Sequence, residues 1–563
     1  MKEKPWYKHY DSGVPSTLTY PQYPVTYFLE ETARRFPQNT CTIFMDKMIN
    51  YQQMDRLKDG LAAALVEMGV CKGDRVAIFM PNIPQFILSF FAILKAGGVV
   101  VAINPTYKEN EAVFQLNDSG AVLMLAISDA KPLLEKVQPQ TDVRRIIYTD
   151  IQDAFEFPEL ANKAIGELKN NEKPSTLTER TDTLLGLLAR FGSAESPDVT
   201  VLPDDAAIFQ YSGGTTGIPK AAIGLHRNLV ANIIQFRNHL WILEEGKQTF
   251  IDFIPLFHVY GMVIAMGVAI HMASRLLLLP NPRDIQNILK NIEKYEGSML
   301  PGVPNVYHGI GHHPDVVSGK YDIHSIKASI SGSAPLLRET KEQFERVTGG
   351  KLVEGYGLSE APTATHCNPI MGENRTGSIG LPLPDVDARI VSLEDGKTEM
   401  APGEPGELII KGPQIMQGYH NMPEESKQAL QDGWLFTGDI AYMDEDGYFF
   451  LVDRKKDVIK PGGLQVWPRE VEEIIAAHPA VNEVGVAGVV HPQYGETVKA
   501  WVVLKAGQDA TAEDIQSWCM DQIAQYKVPR HVEFIEQLPR TTVGKLLRRE
   551  LIRWHNENSV LTE

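Results

Sequence analysis

The stretch YSGGTTGIPKAAIG (Tyr211–Gly224) concentrates more chemistry-capable residues than any other part of the 563-residue chain. Gly213, Gly214 and Gly217 allow close backbone approach to a ligand, Ser212, Thr215 and Thr216 offer hydroxyl donors, and Lys220 adds a cation. That combination suits a phosphate group. A Walker A loop needs glycine directly before its lysine and a hydroxyl directly after it. Here Pro219 precedes Lys220 and Ala221 follows, so the stretch is not Walker A. A flexible surface turn is the plain alternative for any Gly/Ser/Thr cluster. Such a turn needs neither paired threonines nor a lysine placed by proline.

Other candidates are weaker as bare residues. His258 in FIPLFHVYG could act near a substrate, or could be a satisfied core histidine. GYGLSE (Gly355–Glu360) could bring the Glu360 carboxylate to a cation, or could be a glycine turn capping a helix with Ser359 as N-cap. Lys545 in TTVGKLL reads by itself as a solvated charge on a loop, and DEDG (Asp444–Gly447) as a hairpin turn.

These residues need a scaffold larger than one hydrophobic core, and the length calls for two or more domains. Met54, Leu57, Leu61, Leu65 and Met68 follow helical spacing, RVAIFM (Arg75–Met80) reads as a buried strand, and Pro84–Gly98 as a helix between its expected proline and glycine. With VVVAI and AVLMLAI as further strands, the rhythm predicts an α/β domain with a mainly parallel sheet. Leu168–Asp182 is polar and aperiodic, a surface excursion. The apolar run from Gly261 is broken by His271 and Arg275 and reads as core rather than membrane span. Beyond Asp453–Asp457 the texture changes to a helix from Pro468 and a β-β-α-β module, which predicts domains at 1–453 and 454–563 with a linker at DRKKD. The net charge of −17 argues against nucleic acid. Four scattered cysteines without a CxxC pair, and an N-terminus without an apolar signal region, point to the cytoplasm.

YSGGTTGIPK resembles the phosphate loop of the adenylate-forming superfamily, which comprises acyl-CoA synthetases, luciferases and nonribosomal peptide synthetase adenylation domains. Further stretches similar to that superfamily follow in order along nearly the whole chain. FIPLFHVYG resembles its acyl-pocket segment, and His258 stands where amino-acid-activating members carry aspartate, which argues against an amino-acid substrate. SISGSAPL and LVEGYGLSEA resemble its adenine-binding segments. DGWLFTGDIAYMDEDGYFFLVDRKKD resembles its ribose and hinge block. KPGGLQVWPREVEE resembles its pantetheine-tunnel loop, and LPRTTVGKLLRREL its last motif.

The resemblance implies a large N-terminal domain of mainly parallel sheets flanked by helices, and a small mobile α+β C-terminal domain. It implies ATP, Mg²⁺ and coenzyme A as cofactors. Nucleotide contacts fall to Ser212, Gly213, Gly214, Thr215, Thr216, Gly217 and Lys220 on the phosphates. Gly332, Ser333, Ala334, Glu354, Gly355, Tyr356, Gly357, Leu358 and Ser359 fall around the base, with Asp439 and Arg454 on the ribose. It assigns Mg²⁺ to Glu360 and the acyl group to His258, Val259, Tyr260, Gly261, Met262, Val303 and Gly332. Lys456 would be the hinge and Gly462–Gly463 the loop admitting coenzyme A. Lys545, Lys220, His258 and Thr216 would be catalytic, Lys545 neutralising charge between the acid and the α-phosphate. The texture is closest to bacterial medium- or long-chain fatty acid–CoA ligases. Aryl-acid ligases, acyl-AMP-forming or luciferase-like enzymes without coenzyme A, and a nonenzymatic binding protein are the alternatives. Transient membrane contact and a homodimer rest on fold-level analogy alone. Ala221, Met262 and Trp467 depart from the usual residues.

Overall fold

The computed structural model describes residues 4–169, 182–212, 219–281, 283–461, 464, 466–491, 495–541 and 545–560. The chain divides into two compact units. The first comprises Met1–Thr376, Gly380–Asp387 and Lys411–Gly433, and the second comprises Gly377–Ile379, Ala388–Ile410 and Trp434–Glu563.

The first unit is built on two sheets. The six-stranded sheet runs in the order Arg145–Thr149, Ala121–Ile127, Arg75–Phe79, Val99–Ala102, Ala206–Ser212 and Lys220–Leu225. All neighbours in it are parallel except the last pair. In the nine-stranded sheet, Lys351–Gly357, Ala328–Ser331, Met299–Gly302, Thr249–Asp252, Arg275–Leu278 and Thr40–Phe44 form a parallel centre. Antiparallel strands lie at its two edges.

Local sequence explains the helices beside these sheets. Tyr51–Glu67 starts at Asn50, whose side chain accepts the Gln53 N–H while the Gln53 side chain accepts the Asn50 N–H. The helix buries Met54, Leu57, Leu61 and Leu65, the stripe expected from their spacing. Pro84–Lys95 begins on its proline and buries Phe86, Ile87, Leu88, Phe90 and Phe91 all round, as a helix enclosed by protein does. The apolar run from Gly261 is also core: a wide-turned π-helix, Tyr260–Gly267, leads to Val268–His271 and then the Arg275–Leu278 strand. Among the described residues no helix is long and apolar enough to cross a membrane. Most of the Leu168–Asp182 excursion lies outside the described residues, and its first two residues close the Phe157–Lys169 helix.

In the second unit, Gly406–Lys411, Trp434–Met443 and Phe449–Arg454 pair antiparallel. DEDG makes the tight turn between the last two, with the Asp444 N–H donating to the Tyr448 carbonyl. The β-β-α-β module is present as Val481–His491, Gly495–Leu504, Ala512–Met520 and His531–Phe534. Its strands alternate faces. Val486, Val498, Ala500 and Val502 pack with Val471 and Ile475 of the Pro468–Ala476 helix, while Ala487, Val489 and Trp501 pack with Leu538 and Leu551.

Candidate active site

Ligands of parallel α/β sheets gather beyond the carboxyl ends of the strands, where loops and helix starts converge. Four neighbouring strands of the nine-stranded sheet release candidate residues from that edge. His258–Met262 follow Thr249–Asp252, Val303 follows Met299–Gly302, Gly332–Ala334 follow Ala328–Ser331, and Leu358–Glu360 follow Lys351–Gly357.

Tyr260 ties two of these ends together. Its hydroxyl donates to the Ile330 carbonyl at 2.7 Å and accepts the Gly302 N–H at 3.1 Å. The Gly332 N–H donates to the Gly302 carbonyl at 3.1 Å. A Cβ at Gly261 would overlap the backbone carbonyl oxygens of Ile254 and Pro255, so only glycine fits the turn that aims Tyr260. Val259 and Met262 are buried, and Val303 precedes the Pro304–Gly311 helix. His258 is half-buried, and its Nδ1 accepts the Tyr260 N–H at 3.2 Å. That bond makes the Nε2–H form the neutral tautomer. Acyl-pocket candidates from three strands are therefore brought to one place.

The adenine candidates lie on adjacent strand ends, where Ser331 pairs with Glu354. Ser333 holds a left-handed backbone with φ 71°, an uncommon state for a residue with a side chain. Glu354 is buried, with its Oε2 accepting the Leu336 N–H at 3.4 Å. Tyr356 is half-buried and meets His366 edge-on, with ring centroids 5.9 Å apart. A Cβ on Gly357 would overlap the Thr363 carbonyl oxygen, the acceptor of the Leu358 N–H at 2.9 Å. Ser359 caps no helix. The chain instead turns and returns as the antiparallel strand Ala364–Cys367, which corrects the helix-cap alternative for GYGLSE. The glycines are set by close strand return, not by a helix start.

Gly213, Gly214, Thr215, Thr216 and Gly217 lie outside the described residues. Their flanks are paired antiparallel, Ser212 opposite Lys220. Ala221 is buried in the core under the six-stranded sheet, and its carbonyl accepts the His420 N–H at 2.8 Å. A small apolar side chain is what that position accommodates. The Lys220 ammonium stands 5.4 Å over the Tyr419 ring, and the Tyr419 hydroxyl donates to Glu360 Oε1 at 2.9 Å. Burial, then the Glu360 charge, raise the Tyr419 pKa, so the phenol stays a donor. Tyr419 thus joins Lys220, the phosphate candidate, to Glu360, the metal candidate, and sequence reasoning missed it. A tyrosine in QGYH has no chemical signature until strand Lys220–Leu225 pairs with it.

Among the described residues no three His, Cys, Asp or Glu side chains cluster as a metal cage. A hard cation at Glu360 would therefore need oxygens from a bound phosphate, a donor set that suits Mg²⁺.

The second unit carries the remaining candidates. Asp439 pairs with Arg454 across two strands, Arg454 Nε lying 3.1 Å from Asp439 Oδ1. Lys545 counts among the exposed residues, yet desolvation by surrounding protein, followed by repulsion from Arg454, lowers its pKa to about 8. Desolvation disfavours the charged form of an amine, which sets this direction. Burial likewise lowers Lys456, whose ammonium lies 4.0 Å from Asp457. Gly462 and Gly463 lie outside the described residues, and Trp467 immediately precedes the Pro468–Ala476 helix.

Sequence reasoning also missed a polar anchor behind this group. Arg548 binds Glu472 at 2.7 Å and Asp457 at 3.4 Å, with Asp453 at 3.9 Å. Asp453 in turn accepts the Arg469 N–H at 2.7 Å, satisfying the first turn of the Pro468–Ala476 helix.

The chain matches the family model described as AMP-binding enzyme over residues 29–420, and that of the AMP-binding enzyme C-terminal domain over 470–545. It is 42% identical over 565 residues to a long-chain-fatty-acid–CoA ligase of Bacillus subtilis (strain 168), covering 99% of each chain. A long-chain-fatty-acid–CoA ligase of Escherichia coli O157:H7 is 35% identical over 558 residues, covering 98% of each. The crystal structure of ATP-bound MatB from Rhodopseudomonas palustris superposes with a TM-score of 0.81 at 27% identity, over 95% of this chain and 99% of that one. With the strand-end residues 258–360 inside the first of these models and the second following it along the chain, this protein belongs to the AMP-binding enzyme family.

Proposed function

We propose that the protein is an ATP-dependent fatty acid–CoA ligase. It joins a fatty acid to ATP as acyl-AMP with release of pyrophosphate, then transfers the acyl group to coenzyme A with release of AMP. The observation that carries this reading is the 42% identity, across 99% of both chains, to a long-chain-fatty-acid–CoA ligase.

A carboxylate oxygen is a poor leaving group, and attack on the α-phosphate converts it into a mixed anhydride. The protein's part is positioning and charge neutralisation. In this reading Lys220 and the loop hydroxyls Ser212, Thr215 and Thr216 hold the outgoing pyrophosphate. Mg²⁺ on Glu360 would supply charge neutralisation at the same phosphates. Gly332–Ala334 and Tyr356–Ser359 take the base, and Asp439 accepts the ribose hydroxyls beside Arg454. His258, Tyr260, Met262 and Val303 line the acyl group. Lys545 holds positive charge between carboxylate and α-phosphate. A rotation about Lys456, in the Asp453–Asp457 hinge, then exchanges Lys545 for the Gly462–Gly463 loop, so that one site serves both half-reactions.

The test is AMP release by purified protein with ATP, Mg²⁺ and coenzyme A, across acids from acetate to oleate and coumarate. CoA-dependent AMP release with long-chain acids is expected. AMP formation independent of coenzyme A, or turnover of coumarate alone, would overturn the reading.

A further inference from the structure

Asp252 ends the Thr249–Asp252 strand and has 0% of its surface exposed. Neither carboxylate oxygen has a hydrogen-bond partner among the described residues. The register explains this isolation. Leu278 pairs with it on one neighbouring strand, and on the other, where Met299 pairs with Phe250, Pro301 falls level with Asp252. Neither neighbour offers a side-chain donor. Burial pushes the Asp252 pKa well above the usual carboxylate range. Burial without a counter-charge favours the protonated carboxyl, which has one O–H to donate and lone pairs to accept.

Alternation along the strands fixes where this acid faces. Pro301 pairs with Ile330, so Asp252 shares its sheet face with Ile330 and, two residues further on, with Gly332. Tyr260 covers that same face, since a Cβ on Gly332 would meet its ring at 3.4 Å. The Tyr260 hydroxyl does not satisfy the acid: it donates to Ile330 and accepts from Gly302, and it makes no bond to Asp252. Asp252 lies two strands across from Gly332 and two residues beneath it, about 12 Å away by strand spacing and rise. An acyl group bound beside Gly332, as the ligase reading has it, would bring the middle of a long chain rather than the reacting carboxylate to that distance.

We propose that Asp252 is a specificity-determining residue of the acyl pocket, selecting long-chain acids with a mid-chain hydroxyl or oxo oxygen over plain alkyl acids. The proposal rests on the ligase reading above and on Tyr260 and Gly332 lining the acyl group. A hydroxyl both accepts from and donates to the neutral acid, and an oxo group accepts its proton. A methylene does neither and leaves a buried polar group unpaired, the circumstance in which sites reject an analogue most strongly.

The experiment measures kcat/KM by CoA-dependent AMP release for hexadecanoate and for its hydroxy and oxo isomers, oxygenated at successive positions. Wild-type protein should favour the best mid-chain isomer by at least ~10-fold, the preference peaking over a few adjacent carbons. Asp252→Leu should bring that ratio to near one, while Asp252→Asn, which keeps a donor and an acceptor, should retain most of it. Turnover of hexadecanoate and every isomer with equal kcat/KM would overturn the proposal and leave the ligase reading standing. An unchanged ratio in Asp252→Leu would overturn it as well, since the oxygen would then be recognised elsewhere. Turnover of no acid would overturn the ligase reading itself. The wild-type comparison needs no variant, so it decides even if Asp252→Leu fails to fold.

Discussion

The hydroxyl of Tyr419 donates to Oε1 of Glu360 at 2.9 Å while the Lys220 ammonium stands 5.4 Å above the same ring. One side chain therefore orients a carboxylate and lies beneath a cation, the two charges assigned to the phosphates. Tyr419→Phe keeps the ring and removes the donor. Hydrogen bonds to charged groups contribute about 1.5–3 kcal/mol. The Mg²⁺ concentration for half-maximal pyrophosphate release should rise ~10-fold, with fatty acid KM unmoved. A Mg²⁺ dependence identical to wild type would show that Tyr419 does not position Glu360.

Lys545 has its pKa lowered to about 8, chiefly by desolvation, so its positive charge is present below that pH and lost as pH rises through it. Adenylation kcat/KM, which reports the free enzyme, should fall on the alkaline side of about 8. Lys545→Ala should abolish acyl-AMP formation and remove this limb, while supplied acyl-AMP is still converted to thioester. Equal loss of both half-reactions would refute the division of labour between Lys545 and the Gly462–Gly463 loop.

Gly357 has no room for a side chain, because a Cβ would displace the Thr363 carbonyl that accepts the Leu358 N–H. Gly357→Ala should cost about 1–3 kcal/mol as overpacking and raise the KM for ATP. Thermal melting and ATP titration check this together. An unchanged melting temperature and ATP KM would mean that the strand return yields without cost.

Arg548 holds Glu472, Asp457 and Asp453, and burial raises the pKa of Glu472 and Asp453 even with the guanidinium beside them. Arg548→Ala leaves buried acids without their cation, a change that costs about 3–5 kcal/mol. Acids whose folded pKa is raised lose stability as pH rises, because the unfolded chain releases their protons more readily. The destabilisation should therefore be greater at pH 8 than at pH 5, measured by denaturant unfolding. A deficit of the same size at both pH values would argue against the buried acids as its source.

Much of this fold was legible because its signals are local. The stripe of Met54, Leu57, Leu61 and Leu65, the proline and glycine around Pro84–Lys95, and the apolar runs that became Val481–His491 and Gly495–Leu504 each report structure within a few residues of chain. The helix-cap alternative for Ser359 failed for the opposite reason. A small residue after glycine reads the same before a helix as before a strand that doubles back, and the pairing of Tyr356 with His366 decides between them.

By itself the sequence determined the residue types of an AMP-binding enzyme and the order in which they occur, because backbone permissiveness, hydroxyl donors and charge belong to residues and their immediate spacing. What only the tertiary structure decided is which of them meet. Tyr419 reaches Glu360 across 59 residues, Ala221 proves to be core, and Arg548 anchors the Asp453–Asp457 segment from far along the chain. Asp252 is an ordinary acid in TFIDFIP until strand register places Leu278 and Pro301 beside it and leaves its carboxyl without a hydrogen-bond partner among the described residues. Hydrogen bonds and desolvation depend on distance in space, and strand pairing sets that distance between residues far apart in the chain.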